Sequence, residues 1–188
     1  MRIVLASESF SRKRAMDLIG VKYEVRPSAI DEKAIRDPDP TALTRKLAEA
    51  KARKVAEEFR DGVIVSGDAV VAREGRIYEK PVDLEQAAEF LRELSGNELE
   101  FVTSIAVLRC DTGKMLSTVE ASQIRFRELT DGEIREYIAS YPVLKCAGAF
   151  EGDGVLRFAE RVAGSFNFLT GVPVSRLIVL LREQGVAV

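Results

Sequence analysis

The sequence predicts an α/β fold in which helices flank a mixed, twisted β-sheet. Segments with helical periodicity alternate with short apolar runs typical of buried strands along most of the chain. Two long strand-like segments, residues 98–109 and 114–127, are joined at Asp111-Thr-Gly113, which indicates a β-hairpin. Strands connected through helices, together with an inserted hairpin, predict a sheet that is part parallel and part antiparallel.

The first half of the chain begins with an apolar run that predicts a strand. The predicted elements are a strand at residues 2–6, a helix at 9–19, a strand at 22–26, a helix at 40–59, and strands at 63–66 and 69–72. Asp39 is the expected N-cap of the second helix, with Pro40 at its first position. Gly67-Asp68 is expected to separate the strand at residues 63–66 from the strand at 69–72.

The second half of the chain continues the same alternation. A turn at Glu74-Gly75 precedes a helix at residues 84–94, which Asp83 caps and Ser95-Gly96 ends. The hairpin, either core sheet or an interface, comes next. We then expect a helix from Thr130 or Asp131 to residue 140, a loop at 141–154, a strand at 155–162 and a helix at 174–184.

Composition and charge exclude several classes of protein. The 188 residues are 46% hydrophobic and 31% charged, which predicts a single globular domain, residues 1–188, with a substantial core. The net charge of −2 gives no general basic field, so we expect no nucleic-acid partner. The apolar runs are too short for a signal peptide or a membrane span, and the two cysteines form no disulfide framework, so we expect a cytoplasmic protein.

The absence of histidine limits the possible chemistry. It excludes Ser-His-Asp and Cys-His catalysis and histidine-based zinc sites. An enzyme with this composition would use a carboxylate, a lysine or a metal-bound water as its base. The expected metal is Mg²⁺ or Mn²⁺, because both prefer oxygen ligands.

A possible anion site follows the first predicted strand. Ser7, Ser9 and Ser11 alternate there, and Arg12 begins a short basic cluster at the start of the helix. Free backbone N–H groups and the helix dipole favour negative charge at this position, and the fixed cations suit a polyphosphate. The alternative is a serine N-cap on a solvated basic helix start.

Two charged residues lie where the pattern predicts apolar ones. Lys51 shares the stripe of Leu43, Leu47 and Val55 on the second helix, where an ammonium is costly unless it is paired or faces a cleft. The alternative is snorkelling from the edge of the stripe. Asp68 lies between two strand-like runs, which suits metal binding or general-base work, or else a turn in a tight hairpin.

Short motifs along the whole chain resemble those of one family. They are Leu5-Ala-Ser-x-Ser9, Pro27-Ser-x-Ile-Asp-Glu32, Leu47-Ala-x-x-Lys-Ala52, Gly67-Asp68-x-Val70, Lys80-Pro81, Ser95-Gly96, Thr103, Phe126-Arg127, Ala147-Gly-Ala-Phe150, Gly164-Ser165, Asn167 and Gly171-Val-Pro173. In this order and spacing the chain resembles the Maf, or septum-formation-inhibitor-like, family.

The resemblance implies a hydrolase of acid anhydrides that works in nucleotide metabolism. Family members are nucleoside triphosphate pyrophosphatases, which cleave the α–β phosphoanhydride into a nucleoside monophosphate and pyrophosphate and need a divalent metal. The implied fold has two lobes around a cleft and is related to inosine triphosphate pyrophosphatases. The implied partners are the nucleotide and a second copy of the chain in a homodimer.

Residue roles carried over by position agree with the chemistry of the reaction. Asp68 would be the proton acceptor, Glu32 would assist the metal or the water, and both would bind the metal. The phosphate side would be lined by Ser7, Ser9, Arg12, Lys51 and Lys80. Hydrolysis of a phosphoanhydride needs cations for the phosphate oxygens and an oriented water, which these residue types supply without histidine.

The chain departs from the family pattern at positions that bear on the choice of base. Phe10 and Ser11 replace the usual Pro-Arg, Ala69 replaces Thr, Asp153 replaces Gln, and Leu99 replaces a His. Family branches differ in base choice at the positions of Ser11, Ala69 and Asp153, so these three are the candidate base-binding residues. An acid at position 153 could accept hydrogen bonds from the amino group of cytosine or guanine.

Two other functions are compatible with the sequence. One is a nucleotide- or partner-binding regulator of cell division without turnover, although a binder has no need for the base Asp68. The other is a house-cleaning pyrophosphatase for modified nucleotides, which has the same chemistry and a different base.

Overall fold

The computed structural model describes the whole chain, Met1–Val188. The seven strands are β1 (Ile3–Leu5), β2 (Glu24–Val25), β3 (Val63–Arg73), β4 (Arg76–Tyr78), β5 (Glu98–Arg109), β6 (Met115–Phe126) and β7 (Ala159–Gly164). The six α-helices are α1 (Phe10–Ile19), α2 (Pro40–Ala56), α3 (Leu84–Leu94), α4 (Asp131–Ser140), α5 (Gly152–Phe158) and α6 (Val174–Glu183).

The strands form one mixed sheet, as the sequence predicts. Their order is β2-β1-β3-β5-β6-β7, and β4 pairs with β3 outside this path. β1 runs parallel to both neighbours, with Val4 opposite Ile64 of β3, whereas β4 and β7 pair antiparallel to β3 and β6. β5 lies between β3 and β6 and is buried along most of its length, so the hairpin belongs to the core of the sheet.

The chain divides into two compact units. The first unit comprises Met1–Ala69, Thr103–Glu120 and Thr170–Val188, and the second comprises Val70–Val102 and Ala121–Leu169. In the first unit, alternate residues of β1 and β3 point to opposite faces. Leu5 and Val65 pack with residues of α1 and α6, whereas Val4 and Ile64 pack with residues of α2.

The second unit has an aromatic core. The ring of Phe126 packs at 5.2 Å from that of Phe150, and the ring of Tyr137 packs at 4.8 Å from that of Phe158. The first contact joins β6 to the segment before α5, and the second joins α4 to α5. Edge-on aromatic pairs of this kind add to the stabilisation from buried area.

The predicted strand at residues 155–162 is wrong in its first half. Residues 155–158 belong to the helix α5, and only the second half is strand. Val155 and Phe158 are buried, whereas Leu156 between them is 68% exposed, which is the spacing of a helix face. The helix also begins inside the predicted loop, which contains two short 3₁₀ turns before it.

Two further features were not expected from the sequence. β3 runs without a break through Gly67 and Asp68, where an interruption was predicted, so Asp68 is not a turn residue. The short strand β4 follows the predicted turn at Glu74-Gly75. No helix of the chain has both the length and the apolar character needed to cross a bilayer.

Candidate active site

The start of α1 has the predicted arrangement of hydroxyl groups. Ser9 is the N-cap, and its hydroxyl accepts a hydrogen bond from the backbone N–H of Arg12 at 3.5 Å. The Ser7 hydroxyl accepts from the backbone N–H of Ser9 at 3.2 Å and from Nη1 of Arg12 at 3.1 Å. Ser11 lies partly buried in the first turn of the helix. Arg12 is therefore held at this site by Ser7. Arg14 is exposed, which agrees with the alternative of a solvated basic helix start.

Asp68 lies on the face of β3 that packs against α2. Ile64, Ser66 and Asp68 alternate along this face, and the Ser66 hydroxyl donates to the backbone carbonyl of Ala48 in α2 at 2.6 Å. Ser104 of β5 makes a matching 2.6 Å bond to the carbonyl of Thr44, also in α2. These two hydroxyls fix α2 on the sheet at a close distance.

Gly67 permits a close approach on the opposite face of β3. A Cβ atom at this position would lie 2.7 Å from Cγ1 of Val172 and 2.8 Å from the backbone carbonyl oxygen of Ser104. It would also lie 3.3 Å from Nε of Arg12. A larger residue would therefore displace backbone as well as the arginine.

Lys51 forms a buried ion cluster with two carboxylates. Its Nζ lies 2.6 Å from Oδ1 of Asp68 and 2.8 Å from Oε1 of Glu32. Lys51 is only 5% exposed and Asp68 only 6%, whereas the Glu32 side chain is partly exposed. The alternative of snorkelling is therefore wrong for Lys51, because its ammonium is paired inside the protein. Ala48 and Ala52, both fully buried, leave room for this approach of α2 to the sheet.

Arg12 brings a second cation to the same carboxylates. Burial lowers the pKa of its guanidinium, and the negative charges of Asp68 and Glu32 oppose this shift. Its Nε is inaccessible to solvent and has no hydrogen-bond partner. Buried donors are nearly always paired in proteins, so this guanidinium has unused capacity to bind an acceptor. The cluster as a whole contains two cations and two anions.

The other predicted site residues occupy different places. Ala69 follows Asp68 in β3 and is partly buried. Lys80 and Asp153 belong to the second unit, Lys80 exposed after β4 and Asp153 exposed in the first turn of α5. The positive charge of Lys80 acts against the burial that raises the pKa of the Cys146 thiol to about 12. The structure thus brings together Ser7, Ser9, Arg12, Glu32, Lys51 and Asp68 in the first unit.

The sequence pattern did not single out the residues that position α2. Ser66 and Ser104 are fully buried, and both lie within apolar runs that predict strands. A buried hydroxyl in such a run needs a hydrogen-bond acceptor, and this requirement was the only sign in the sequence that Ser66 and Ser104 have a structural role. The acceptors are helix carbonyls distant in sequence, so their identity could not be read from the chain.

Comparison with known proteins shows the family. The family model for Maf-like protein matches residues 2–184, and the chain belongs to this family. It is 36% identical over 187 residues to a protein of Carboxydothermus hydrogenoformans named dTTP/UTP pyrophosphatase, which covers 98% of this chain and 100% of that protein. A protein of Aquifex aeolicus with the same name is 35% identical, over 97% of this chain and 95% of its own length.

Further matches extend the same pattern. A protein of Synechococcus sp. named nucleoside triphosphate pyrophosphatase is 36% identical, over 97% of this chain and 94% of that protein. The solved structure of a HAM1 protein from Coxiella burnetii superposes with a TM-score of 0.51 at 16% identity, covering 97% of this chain and 99% of that one. The structural match concerns the fold alone, and it agrees with the fold class that the sequence predicts.

Proposed function

We propose that this chain is a nucleoside triphosphate pyrophosphatase that hydrolyses the α–β phosphoanhydride and releases a nucleoside monophosphate and pyrophosphate. The observation that carries the proposal is the buried cluster in which Lys51 bridges Asp68 and Glu32 beside Arg12. The unpaired Nε donor of Arg12 has no role in a purely structural ion pair, whereas a polyphosphate oxygen can accept its hydrogen bond. The names of the relatives support the same activity.

The cluster contains the groups that the reaction requires. Arg12 and Lys51 supply fixed positive charge for phosphate oxygens, and the hydroxyls of Ser7 and Ser9 offer hydrogen bonds at the start of α1. Asp68 is the proposed acceptor for the proton of the attacking water, a role that rests on the family resemblance and that a carboxylate can fill in a chain without histidine. The family resemblance assigns Lys80 to the phosphate side as well, and no other observation supports that role.

The carboxylates of Asp68 and Glu32 fit a divalent metal ion. Carboxylate oxygens are the donors that Mg²⁺ and Mn²⁺ prefer, and these two already share one cation, the ammonium of Lys51. The chain has no group of three or more His, Cys, Asp or Glu side chains that could hold a metal. Water and phosphate oxygens would complete the shell, as is usual for Mg²⁺. The ion supplies charge neutralisation for the phosphate oxygens when bound.

The proposed substrates are dTTP and UTP, the nucleotides in the names of two relatives. The candidate base-binding residues are Ser11, Ala69 and Asp153. Thymine and uracil have no amino group, so the hypothesis that Asp153 accepts a hydrogen bond from cytosine or guanine competes with this assignment. Unchanged base preference in an Asp153→Gln variant would remove Asp153 from base recognition.

The test is pyrophosphate release across the canonical and several modified nucleoside triphosphates with Mg²⁺ or Mn²⁺. Turnover of dTTP and UTP above the others supports the proposal. Turnover of a modified nucleotide instead would keep the reaction and assign a house-cleaning role. Absence of turnover by folded protein would overturn the proposal in favour of a binding protein. The homodimer and the cytoplasmic location remain predictions.

A further inference from the structure

We propose that Lys51 competes with the divalent metal ion for Asp68 and Glu32, so that the metal binds tightly only when a polyphosphate is present to draw Lys51 away. This positioning role rests on the proposed function, because it concerns the same carboxylates and the same phosphates. It makes Lys51 a resident counter-ion in the nucleotide-free protein and a phosphate ligand in the complex.

The contacts of Lys51 carry the first step. One ammonium nitrogen contacts a carboxylate oxygen of Asp68 at 2.6 Å and one of Glu32 at 2.8 Å. These are the oxygen donors that a divalent ion would use. The ammonium is almost fully buried, so solvent screens its attraction to the two carboxylates only weakly. A metal ion bound to both carboxylates would therefore lie next to the buried ammonium of Lys51, and the repulsion between the two cations opposes their binding together.

The charge balance of the cluster carries the second step. Lys51 and Arg12 offset Asp68 and Glu32, so the cluster has no net charge before a ligand arrives. A divalent cation added alone would bring two further positive charges close to the buried ammonium of Lys51, which is unfavourable. A polyphosphate brings several negative charges and removes this obstacle.

Arg12 carries the third step. Its Nη1 donates to Ser7, whereas its buried Nε has no hydrogen-bond partner within the protein. An unpaired buried donor is costly, and a phosphate oxygen would satisfy it. The cation side of the cluster thus has a donor left for an anion, while Lys51 already contacts one oxygen of each carboxylate. Anion and metal should therefore bind with positive coupling, and each should raise the affinity of the other by the same factor.

The direct test is a titration of nucleotide-free protein with Mn²⁺, in which electron paramagnetic resonance measures the free ion. The variant is Lys51→Gln, which removes the charge but keeps a polar side chain. The matched control is Lys54→Gln on the same helix, which breaks the exposed ion pair with Glu57. We expect Lys51→Gln to bind Mn²⁺ at least about tenfold more tightly than the wild type, which corresponds to about 1.4 kcal/mol. The control should bind as the wild type does.

Equal or weaker Mn²⁺ binding by folded Lys51→Gln would overturn the proposal. A second measurement follows thermal unfolding of the wild type and of Lys51→Gln with Mn²⁺, with α,β-imido-UTP, and with both. The nucleotide itself binds Mn²⁺, so the comparison with the variant isolates the part of the coupling that Lys51 contributes. We expect Mn²⁺ alone to raise the melting temperature little and the combination to raise it by more than the sum of the separate shifts. Additive shifts in the wild type, or an equal excess over additivity in the wild type and Lys51→Gln, would overturn the proposal.

The hydrolysis assay separates this proposal from the proposed function. Absence of turnover with every nucleotide would overturn the proposed function, whatever the metal titration shows. Tight Mn²⁺ binding by nucleotide-free wild type, together with turnover, would refute the competition by Lys51 and leave the pyrophosphatase assignment intact.

Discussion

Replacement of Lys51 by methionine tests how much the buried ion cluster stabilises the fold. The change removes an ammonium that lies 2.6 Å from Asp68 and 2.8 Å from Glu32, and it leaves the buried Asp68 facing a second carboxylate. Removal of one partner from a buried ion pair costs about 3–5 kcal/mol, and Arg12 offsets only part of the carboxylate charge that remains. We expect Lys51→Met to lower the free energy of unfolding by this amount.

Removal of the charge of Asp68 should cost less than removal of the charge of Lys51, because Lys51 has two carboxylate partners. Asp68→Asn leaves Lys51 paired with Glu32 and replaces one charged hydrogen bond by a neutral one, which should cost about 1–2 kcal/mol. Urea unfolding followed by circular dichroism measures both values. The control Lys54→Met breaks an exposed pair and should change stability by less than about 1 kcal/mol. The reasoning is refuted if Asp68→Asn costs more than Lys51→Met, or if Lys51→Met is as stable as the control.

The remaining predictions concern three other places in the fold. Gly67→Ala should lose about 1–3 kcal/mol of stability in urea unfolding, because its Cβ would lie 2.8 Å from the carbonyl oxygen of Ser104; wild-type stability would contradict this contact. Hydrogen bonds from Arg127 and from the backbone and side chain of Thr130 lower the pKa of Glu133 from 4.5 to about 2, so the stabilisation is present above pH 4.5 and is lost as the pH falls toward 2. Glu133→Gln should therefore be less stable than the wild type at pH 7, with a difference that shrinks between pH 4.5 and 2 in thermal unfolding, and a constant difference would contradict the assignment. Burial raises the pKa of Cys146 to about 12, so mass spectrometry should find this thiol slowly alkylated at pH 8 in folded protein and quickly in urea, and equal rates would be inconsistent with it.

The anomalies in the sequence were good predictors of the site. Lys51 and Asp68 each violate an apolar pattern, and a buried charge is costly without a partner, so each required a counter-charge. The structure shows that they are partners of each other, with Glu32 completing the cluster. The start of the first helix left an anion site and a serine N-cap as alternatives, and in the structure Ser9 is the N-cap.

The elements that the sequence misassigned are those for which local patterns are ambiguous. Residues 155–158 contain two buried residues at a spacing of three, and so short an apolar segment does not distinguish a strand from a helix. The break expected at Gly67-Asp68 followed from local residue preference. In the fold, Gly67 serves a close contact with Val172 and Ser104, which are distant in sequence. Contacts of this kind do not appear in any local pattern.

The most direct test of the account is product analysis for wild-type protein and Asp68→Asn with UTP or dTTP and Mg²⁺, with Asp17→Asn on the exposed side of α1 as the matched control. Separation of the nucleotides by ion-exchange chromatography identifies the bond that is cleaved. The account predicts that the wild type and the control each release nucleoside monophosphate and pyrophosphate in a one-to-one ratio. It predicts a rate at least about 100-fold lower for folded Asp68→Asn. Release of orthophosphate with nucleoside diphosphate, or undiminished turnover by Asp68→Asn, would contradict it.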